Sequence, residues 1–307
     1  MALEDFNPPI GVPETLAPHL RRIVADNPSP MTYRGTNTYL LGAQKIAVID
    51  PGPASDAHLQ AILSACSKDQ RITHIFVTHS HMDHSPLAKA LSEATGAPIL
   101  AFGPSSAGRS DAMLACVAAG MNSGGEGIDP TFAPDILLED GTTYEAGDQR
   151  LTAWHTPGHM GNHMCFAWED TLFCGDLVMG WASSLVSPPD GDLTDFMASC
   201  EKMHALKPRI MHSGHGAPIT EPLARIEWLI GHRKGREAQI LDQLTIAPSA
   251  ARQIAEAIYA DTPPALIPAA TRNVFAHLID LEGKQMVTRK DAPNEDAIFE
   301  RSAPLPK

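Results

Sequence analysis

The chain has 307 residues, of which 43% are hydrophobic and 19% are charged, and this composition is that of a globular protein with about two domains. Its formal net charge of −13 argues against a general affinity for polyanions such as duplex DNA, and no run of about 18 apolar residues could span a membrane. The five cysteines include no C-x-x-C pair and the N-terminus lacks the basic and apolar segments of a signal peptide, so we expect a reducing, cytoplasmic location.

Between residues 33 and 219, short apolar runs alternate with turn signals in a pattern typical of β-strands. The dipeptide Glu169-Asp170 predicts a two-residue hairpin turn, which would place Cys165 opposite Cys174 with both thiols reduced. The predicted strands are residues 38–41, 45–49, 72–77, 98–102, 151–155, 163–168, 171–173 and 209–211.

Two helices are indicated in this region by their capping residues. Ser85 is a suitable N-cap with Pro86 at the first helical position, and Thr194 is a suitable N-cap for a second helix. The Gly- and Ser-rich segment 103–134 surrounds a stretch of Ala, Met and Leu, which predicts a helix with a long loop near the functional site.

After residue 219 the pattern becomes helical. Three helices are predicted over residues 223–244, 249–260 and 269–281, followed by a strand at 285–288. Together they predict a compact domain over residues 221–290 with a winged-helix appearance, followed by a loose or surface-draped tail over 291–307. Residues 221–290 carry nine Lys or Arg and eight Asp or Glu, which is not the basic surface expected of a DNA-binding regulator.

The strongest chemical signal is the sequence T-H-S-H-M-D-H at residues 78–84, between a predicted strand and a predicted helix. It places three imidazoles and a carboxylate within six residues, and both groups are common ligands of zinc and similar ions. In an extended loop, residues two apart point the same way, so His79 and His81 can share one ion while Asp83 and His84 turn towards a second.

Three further turns each present one residue of ligand type. His159, Asp176 and His215 each follow a predicted strand and lie in a glycine-containing turn, in which the backbone can bend sharply and approach an ion closely. Added to the first cluster, they provide three ligands for each of two ions and one carboxylate that can bridge.

The order H-x-H-x-D-H, then His, Asp and His, resembles the metallo-β-lactamase fold superfamily. The sequence Y-R-G-T-N-T-Y-L at residues 33–40 resembles the first strand of its lactamase-beta-2-like branch, and I-D-P-G at 49–52 resembles the family's I-D-T-G turn. Residues 233–241 resemble the start of that branch's winged-helix-like appendage, so the resemblance covers nearly the whole chain.

The resemblance implies an α/β fold, namely an αβ/βα four-layer metallo-β-lactamase sandwich with a small C-terminal helical winged-helix-like domain. The metals would lie at one edge between two β-sheets. The implied organisation is a catalytic domain at 1–220, the winged-helix-like domain at 221–290 and the tail at 291–307.

The resemblance also implies a cofactor of two divalent metal ions, most readily Zn²⁺, with Mn²⁺ or Fe²⁺ as alternatives. A water shared by the ions would have a lowered pKa and act as the nucleophile, so Asp83 and Asp176 are expected to be catalytic as well as ligands. Asp50 is expected to orient ligands by hydrogen bonding, or else to serve only as a turn residue. The implied ligands are His79, His81 and His159 for the first ion, Asp83, His84 and His215 for the second, and Asp176 as the bridge.

Two other residues are candidates for substrate binding. His163 matches a His of the branch and could contact substrate or be an ordinary strand residue, and Asn37 lies where the first strand nears the site. His212 is interpreted as structural. Cys174 is left out of the ligand set because the seven ligands leave no vacancy.

These features predict a hydrolase that acts on an ester, thioester, lactone or phosphodiester, with a small molecule as the expected substrate. A single-strand endoribonuclease and a glyoxalase-II-like thioesterase remain alternatives, so single-stranded RNA stays open as a partner, as does a homodimer. A nucleic-acid-binding regulator is the non-enzyme alternative, but neither duplex DNA nor a membrane is expected as a partner.

The second domain is expected to shape the active-site mouth. His215 is followed six residues later by Glu221, and six residues reach at most about 20 Å, so the first long helix should begin beside the metal edge. The alternative is a dimerisation module far from the site.

Overall fold

The computed structural model describes residues 6–121 and 127–302, and within them the first sheet contains seven strands. The strands lie side by side in chain order, with the first three pairings antiparallel and the last three parallel. They are β1 (Glu14–Ala17), β2 (Leu20–Val24), β3 (Asn37–Leu41), β4 (Lys45–Ile49), β5 (Arg71–Phe76), β6 (Ile99–Ala101) and β7 (Ile136–Leu137).

Strand β4 shows how the sequence buries both faces of this sheet. Ile46 and Val48 pack with the helical layer, whereas Ala47 and Ile49 pack in the cluster shared with the second sheet. Because side chains alternate between the faces of a strand, a strand that is covered on both sides needs a continuous apolar run.

The second sheet contains five strands within the described residues, in the order β12-β11-β10-β9-β8. Trp168 pairs with Thr171 across the Glu169-Asp170 turn, which confirms the predicted hairpin register, and both Cys165 and Cys174 are free thiols. The strands are β8 (Thr142–Ala146), β9 (Gln149–His155), β10 (Met164–Trp168), β11 (Thr171–Gly175) and β12 (Ile210–Ser213).

Helices cover the outer faces of the two sheets, which confirms the four-layer αβ/βα sandwich. Ile62 and Leu91 pack on the first sheet and Phe196 packs on the second, while large aromatic side chains such as Phe166 fill the space between the sheets. The helices of this region are α1 (Asp56–Ser64), α2 (Leu87–Thr95), α3 (Asp111–Ala118) and α4 (Leu193–Ala205).

Both predicted helix caps were placed wrongly. Pro86, not Ser85, is the N-cap of α2, and the Ser85 hydroxyl instead donates to the His81 carbonyl at 3.2 Å. Helix α4 begins two residues earlier than predicted, because the Asp192 carboxylate accepts hydrogen bonds from the backbone N–H groups of Thr194 and Asp195. A carboxylate is as good an N-cap as a hydroxyl, so residue type alone did not separate Asp192 from Thr194.

Several elements were not predicted. They include β1 and β2, which precede the region where strands were assigned, and the short or partly exposed strands β7 and β8. Helix α1, capped by the Ser55 side chain, was also missed. The predicted helix in segment 103–134 is α3, and residues 122–126 of that segment lie outside the described residues.

The C-terminal region packs around its own core, in which Phe275 and Phe299 are fully buried. Met113 and Cys116 of α3 also lie in this core, so the segment before residue 122 connects the two regions. None of the helices in the described part of the chain combines the length and the apolar character that a membrane span requires. The elements are α5 (Pro222–Ile246), α6 (Ala251–Ile258), α7 (Ile267–Gly283), β13 (Val287–Arg289) and β14 (Phe299–Arg301).

The expected loose or surface-draped tail contains a paired strand in the described residues up to 302. Strand β14 pairs antiparallel with β13, with Val287 opposite Arg301 and Arg289 opposite Phe299. The prolines and acids that suggested a tail lie on either side of a short apolar stretch around Phe299, and the burial of that side chain holds the strand in place.

Candidate metal centre

Four strand ends meet at one edge of the sandwich, and each carries part of the candidate site. Strand β5 of the first sheet leads into the loop 78–84, while β9, β11 and β12 of the second sheet lead to His159, Asp176 and His215. The structure therefore brings together all seven residues that the sequence pattern singled out as ligands.

The first group of ligand atoms comes from three histidines. His79 Nε2 lies 3.0 Å from His81 Nδ1, and His159 Nε2 lies 3.1 Å from the same atom. These three side chains are almost completely buried. Three nitrogens that converge on one point form one face of a tetrahedral metal site.

The second group consists of Asp83, His84 and His215. Asp83 Oδ2 lies 3.4 Å from His84 Nε2 and 3.1 Å from His215 Nε2. One carboxylate and two imidazoles again make a ligand set suited to a divalent ion.

Asp176 lies between the two groups. Its Oδ1 is 3.6 Å from His84 Nε2, and its Oδ2 is 3.3 Å from His215 Nε2 and 3.8 Å from His159 Nε2. The carboxylate therefore lies within reach of ligand atoms from both groups, and this geometry fits the bridging position expected for Asp176.

In His159 and His215 the ring nitrogen that faces away from the centre is held by a main-chain carbonyl. His159 Nδ1 lies 2.7 Å from the Leu185 carbonyl oxygen, and His215 Nδ1 lies 3.2 Å from the Gly35 carbonyl oxygen. A carbonyl can only accept, so both Nδ1 atoms carry a proton, and in the neutral ring Nε2 is then the lone-pair donor towards the centre.

Asp50 contacts the candidate ligand His84 directly and His79 through Thr78. One of its carboxylate oxygens accepts from the Thr78 backbone N–H at 2.7 Å, and the other lies 2.8 Å from the Thr78 hydroxyl and 2.9 Å from His84 Nδ1. The Thr78 hydroxyl in turn lies 2.9 Å from His79 Nδ1. Asp50 thus has the contacts of a ligand-orienting residue, with its backbone in the left-handed region at φ 50°.

Burial and charge divide the imidazoles into two kinds. Burial, together with neighbouring rings, lowers the pKa of His79 well below its usual value and that of His81 to about 3. Burial alone would also lower the pKa of His84 and His215, but the adjacent carboxylates raise the pKa of His84 well above its usual value and that of His215 to about 10. The carboxylates are concentrated at the second group of ligands.

The residues present fit metal ions. His84 Nε2 and Asp176 Oδ1 are buried and have no hydrogen-bond partner among the described residues. Buried polar atoms without partners are costly, and both of these atoms face the centre of the cluster. Gly214 leaves room for them, because a Cβ at this position would lie 2.3 Å from Asp176 Oδ1.

The two residues expected to bind substrate do not lie in an open site. His163 is fully buried, with Nδ1 2.9 Å from the Thr156 hydroxyl and Nε2 accepting from the Asp176 backbone N–H at 3.2 Å. Asn37 is also buried, and its amide donates to the carbonyls of Ser213 and Gly216. These contacts show both side chains bonded to the turns that carry Asp176 and His215, and substrate contact by either stays a prediction.

Sequence reasoning missed three contributors to the site. Thr78 could have been found, since a hydroxyl directly before the first His is within reach of its ring. The carbonyl groups of Leu185 and Gly35 could not, because any residue type can supply a main-chain carbonyl.

Comparison with known protein families agrees with this geometry. A family model described as "Metallo-beta-lactamase superfamily" matches residues 31–215, and one described as "Beta-lactamase associated winged helix domain" matches residues 250–296. The first match ends at the last of the seven candidate ligands.

Curated relatives and solved structures are similar over most of their length. A "Beta-lactamase-like protein 2 homolog" of Drosophila melanogaster is 34% identical over 304 residues, which are 92% of this chain and 95% of the relative. An "Atrochrysone carboxyl ACP thioesterase" of Aspergillus fumigatus is 29% identical over 277 residues, which are 87% of this chain and 78% of the relative. A metallo-beta-lactamase family protein from Thermus thermophilus has a TM-score of 0.74 at 25% identity, covering 94% of this chain and 100% of that one.

Proposed function

Because the chain belongs to the metallo-beta-lactamase superfamily and is a metal-dependent hydrolase with a C-terminal winged-helix domain, we propose that its seven-ligand cluster holds two divalent ions and hydrolyses acyl thioesters. The observation that carries the two-ion proposal is the overlap of the ligand groups. Among the described residues, His79 and His84 form a further group with Asp176, which joins the group of His81 to that of Asp83. Zn²⁺ is the first candidate for both ions, since the ligands are imidazole nitrogens and carboxylate oxygens.

When bound, two such ions supply Lewis acidity and a water that is acidic enough to react at neutral pH. The chain's own residues present neutral nitrogens to the first position and a denser set of carboxylates to the second. Asp176, whose oxygens lie near both ligand groups, would join the two positions, and Asp50 with Thr78 would hold the rings of His84 and His79 in orientation.

The approach of substrate follows from exposure. The side chains of Asp83 and Asp176 are 23% and 10% exposed, whereas His84 and His215 are almost completely buried. The centre therefore opens to solvent on the side of the two carboxylates, where a substrate carbonyl would meet it. We place the acyl group of the thioester on that side.

The thioester class is supported by the Aspergillus fumigatus relative, which is named as an acyl carrier protein thioesterase and whose similarity spans both regions of this chain. The test is a rate comparison of the Zn²⁺-loaded protein on an acyl thioester, a lactone, a β-lactam, a phosphodiester and a single-stranded RNA. We expect the thioester to have the highest kcat/KM. Cleavage of RNA or phosphodiester without thioester cleavage would reject the substrate class and leave the metal centre standing.

The number of ions is tested separately by elemental analysis of protein purified with excess Zn²⁺. We expect about two ions per chain, as in two-metal hydrolases of this kind. One ion per chain, or none, would reject the two-ion proposal whatever the substrate results.

A further inference from the structure

The loop 177–187 follows the bridging carboxylate Asp176 and forms one wall of the site. It has no helix or strand, yet most of its side chains are buried, including Val178, Ser184 and Val186. Its Leu185 carbonyl oxygen lies 2.7 Å from Nδ1 of the candidate ligand His159. The position of this one carbonyl therefore bears directly on the orientation of a ligand ring.

Helix α5 supplies hydrogen bonds that a buried irregular loop needs for its main chain. The Arg225 guanidinium donates to the Met179 carbonyl at 2.7 Å and to the Ala182 carbonyl at 2.6 Å. The Arg233 guanidinium, which is only 2% exposed, donates to the Ser184 carbonyl.

Helix α7 holds the loop on the other side of Leu185. Asn273 Oδ1 accepts from the Val186 backbone N–H at 3.1 Å and from Arg233 Nη1 at 3.0 Å. Both of these neighbours can only donate, so the amide atom facing them is the oxygen. The Leu185 peptide is thus bracketed by bonds from Arg233 to residue 184 and from Asn273 to residue 186.

We propose that Asn273 and Arg233 of the C-terminal region are positioning residues for the metal centre, acting on His159 through the Leu185 carbonyl. This inference rests on the proposed function, because it concerns the affinity of the centre for its ions. It assigns the C-terminal helices a direct part in building the first ligand group of His79, His81 and His159.

A specific consequence follows from the geometry. The second ligand group is oriented by other atoms, namely the Asp50 carboxylate behind His84 and the Gly35 carbonyl behind His215. Loss of the hydrogen bonds on either side of Leu185 should therefore lower the affinity of the ion position that includes His159. The affinity of the other position should stay unchanged. A role limited to stabilising the fold would not separate the two positions.

The test measures Zn²⁺ affinities of the full chain by competition with a chelator, with His159→Ala and His215→Ala as references that mark each position. For Asn273→Ala we expect affinity at the His159 position to fall by about 10- to 100-fold, as is typical when a group that orients a ligand is removed. Asn273→Asp keeps an acceptor oxygen facing Val186 and Arg233, and should restore the affinity.

The matched control is Val274→Ala on the same helix. Val274 is buried in the C-terminal core and is 1% exposed, so its truncation should lower the melting temperature without changing either affinity. If Asn273→Ala does not fold, Asn273→Gln, which keeps the amide but shifts it by one methylene, takes its place with the same expected selectivity.

Three results would overturn the inference: equal losses at both ion positions, the same selective loss in Val274→Ala, or no recovery in Asn273→Asp. Each of them leaves the wild-type protein with two ions, so the proposed function survives. A wild-type protein that binds no Zn²⁺ would instead overturn the proposed function itself.

Discussion

Asp176 and Gly214 show how closely the centre is packed at the scale of single residues. Asp176 reaches ligand atoms of both groups, and Gly214 lies so close to it that no side chain fits between them. The Asp176 carboxylate can therefore occupy its position only because residue 214 has no Cβ.

We expect Asp176→Ala to lose most activity and the affinity for one of the two ions. Stabilisation of the transition state by a metal ion is worth several kcal/mol, so kcat/KM should fall by about 100-fold or more. Elemental analysis and steady-state rates check this. Asp170→Ala, which removes an exposed carboxylate in the β10–β11 turn, is the matched control and should keep both ions. An Asp176→Ala protein with two ions and full activity would show that Asp176 does not bridge.

Replacing Gly214 by Ala is expected to weaken metal binding although no candidate ligand is replaced. The added Cβ would lie 2.3 Å from Asp176 Oδ1 and 2.5 Å from His84 Cε1, so both ligands must move. We expect a loss of about 10-fold or more in Zn²⁺ affinity, measured by chelator competition. Unchanged affinity would mean that the turn at β12 relaxes freely.

At the scale of elements, helix α5 and the β10–β11 hairpin differ in how far their unusual residues are exposed to solvent. Helix α5 runs over 25 residues with two exposed glycines, whereas the hairpin buries both of its cysteines completely. Substitution of the glycines can therefore stabilise the helix, whereas burial protects the cysteines of the hairpin from thiol reagents.

We expect Gly231→Ala and Gly235→Ala to stabilise the protein. Neither added Cβ has a neighbouring atom within 4 Å in the part of the chain that the structure describes. Each change should add about 0.5–1 kcal/mol to the free energy of unfolding, because alanine loses less backbone entropy in a helix interior. Urea unfolding measures this, and a lowered midpoint would contradict it.

The cysteines of the hairpin should be unreactive in the folded protein. Burial raises the pKa of Cys165 to about 12 and that of Cys174 well above its usual value, so neither thiolate forms near neutral pH. We expect native labelling by a thiol reagent to be confined to the half-buried Cys66. After unfolding without reductant all five thiols should react, whereas three would reveal a bridge between Cys165 and Cys174.

At the scale of the whole molecule, the C-terminal region and the sandwich share a buried apolar cluster. Ile226 and Leu229 of α5 lie in the same apolar cluster as Leu172 and Phe196 of the sandwich. The loop 177–187 joins this contact through its bonds to Arg225. Control of substrate access by this domain stays a prediction. These contacts place α5 beside the loop 177–187, which forms one wall of the site.

We expect the chain truncated after Thr220 to fold poorly and to lose its ions. Truncation exposes the cluster around Phe196 and removes the donors that satisfy the main chain of the loop 177–187. Thermal unfolding and elemental analysis of the 1–220 fragment test this. A fragment that melts cooperatively and holds two ions would contradict it, and its relative rates on small and bulky substrates would then test access control.

The sequence by itself determined the candidate ligand set and the strands that carry it. In His79, His81, Asp83 and His84 the ligand types are local to one loop. The apolar runs before Asp176 and His215 are readable because strands buried on both faces need them. Only the tertiary structure decided what holds the ligands. The Leu185 carbonyl is 26 residues from His159 and the Gly35 carbonyl is 180 residues from His215, and main-chain groups leave no signal in residue type. The burial of His163 and the pairing of β14 with β13 were likewise decided by packing between distant segments, because the same residues could equally stand at a surface.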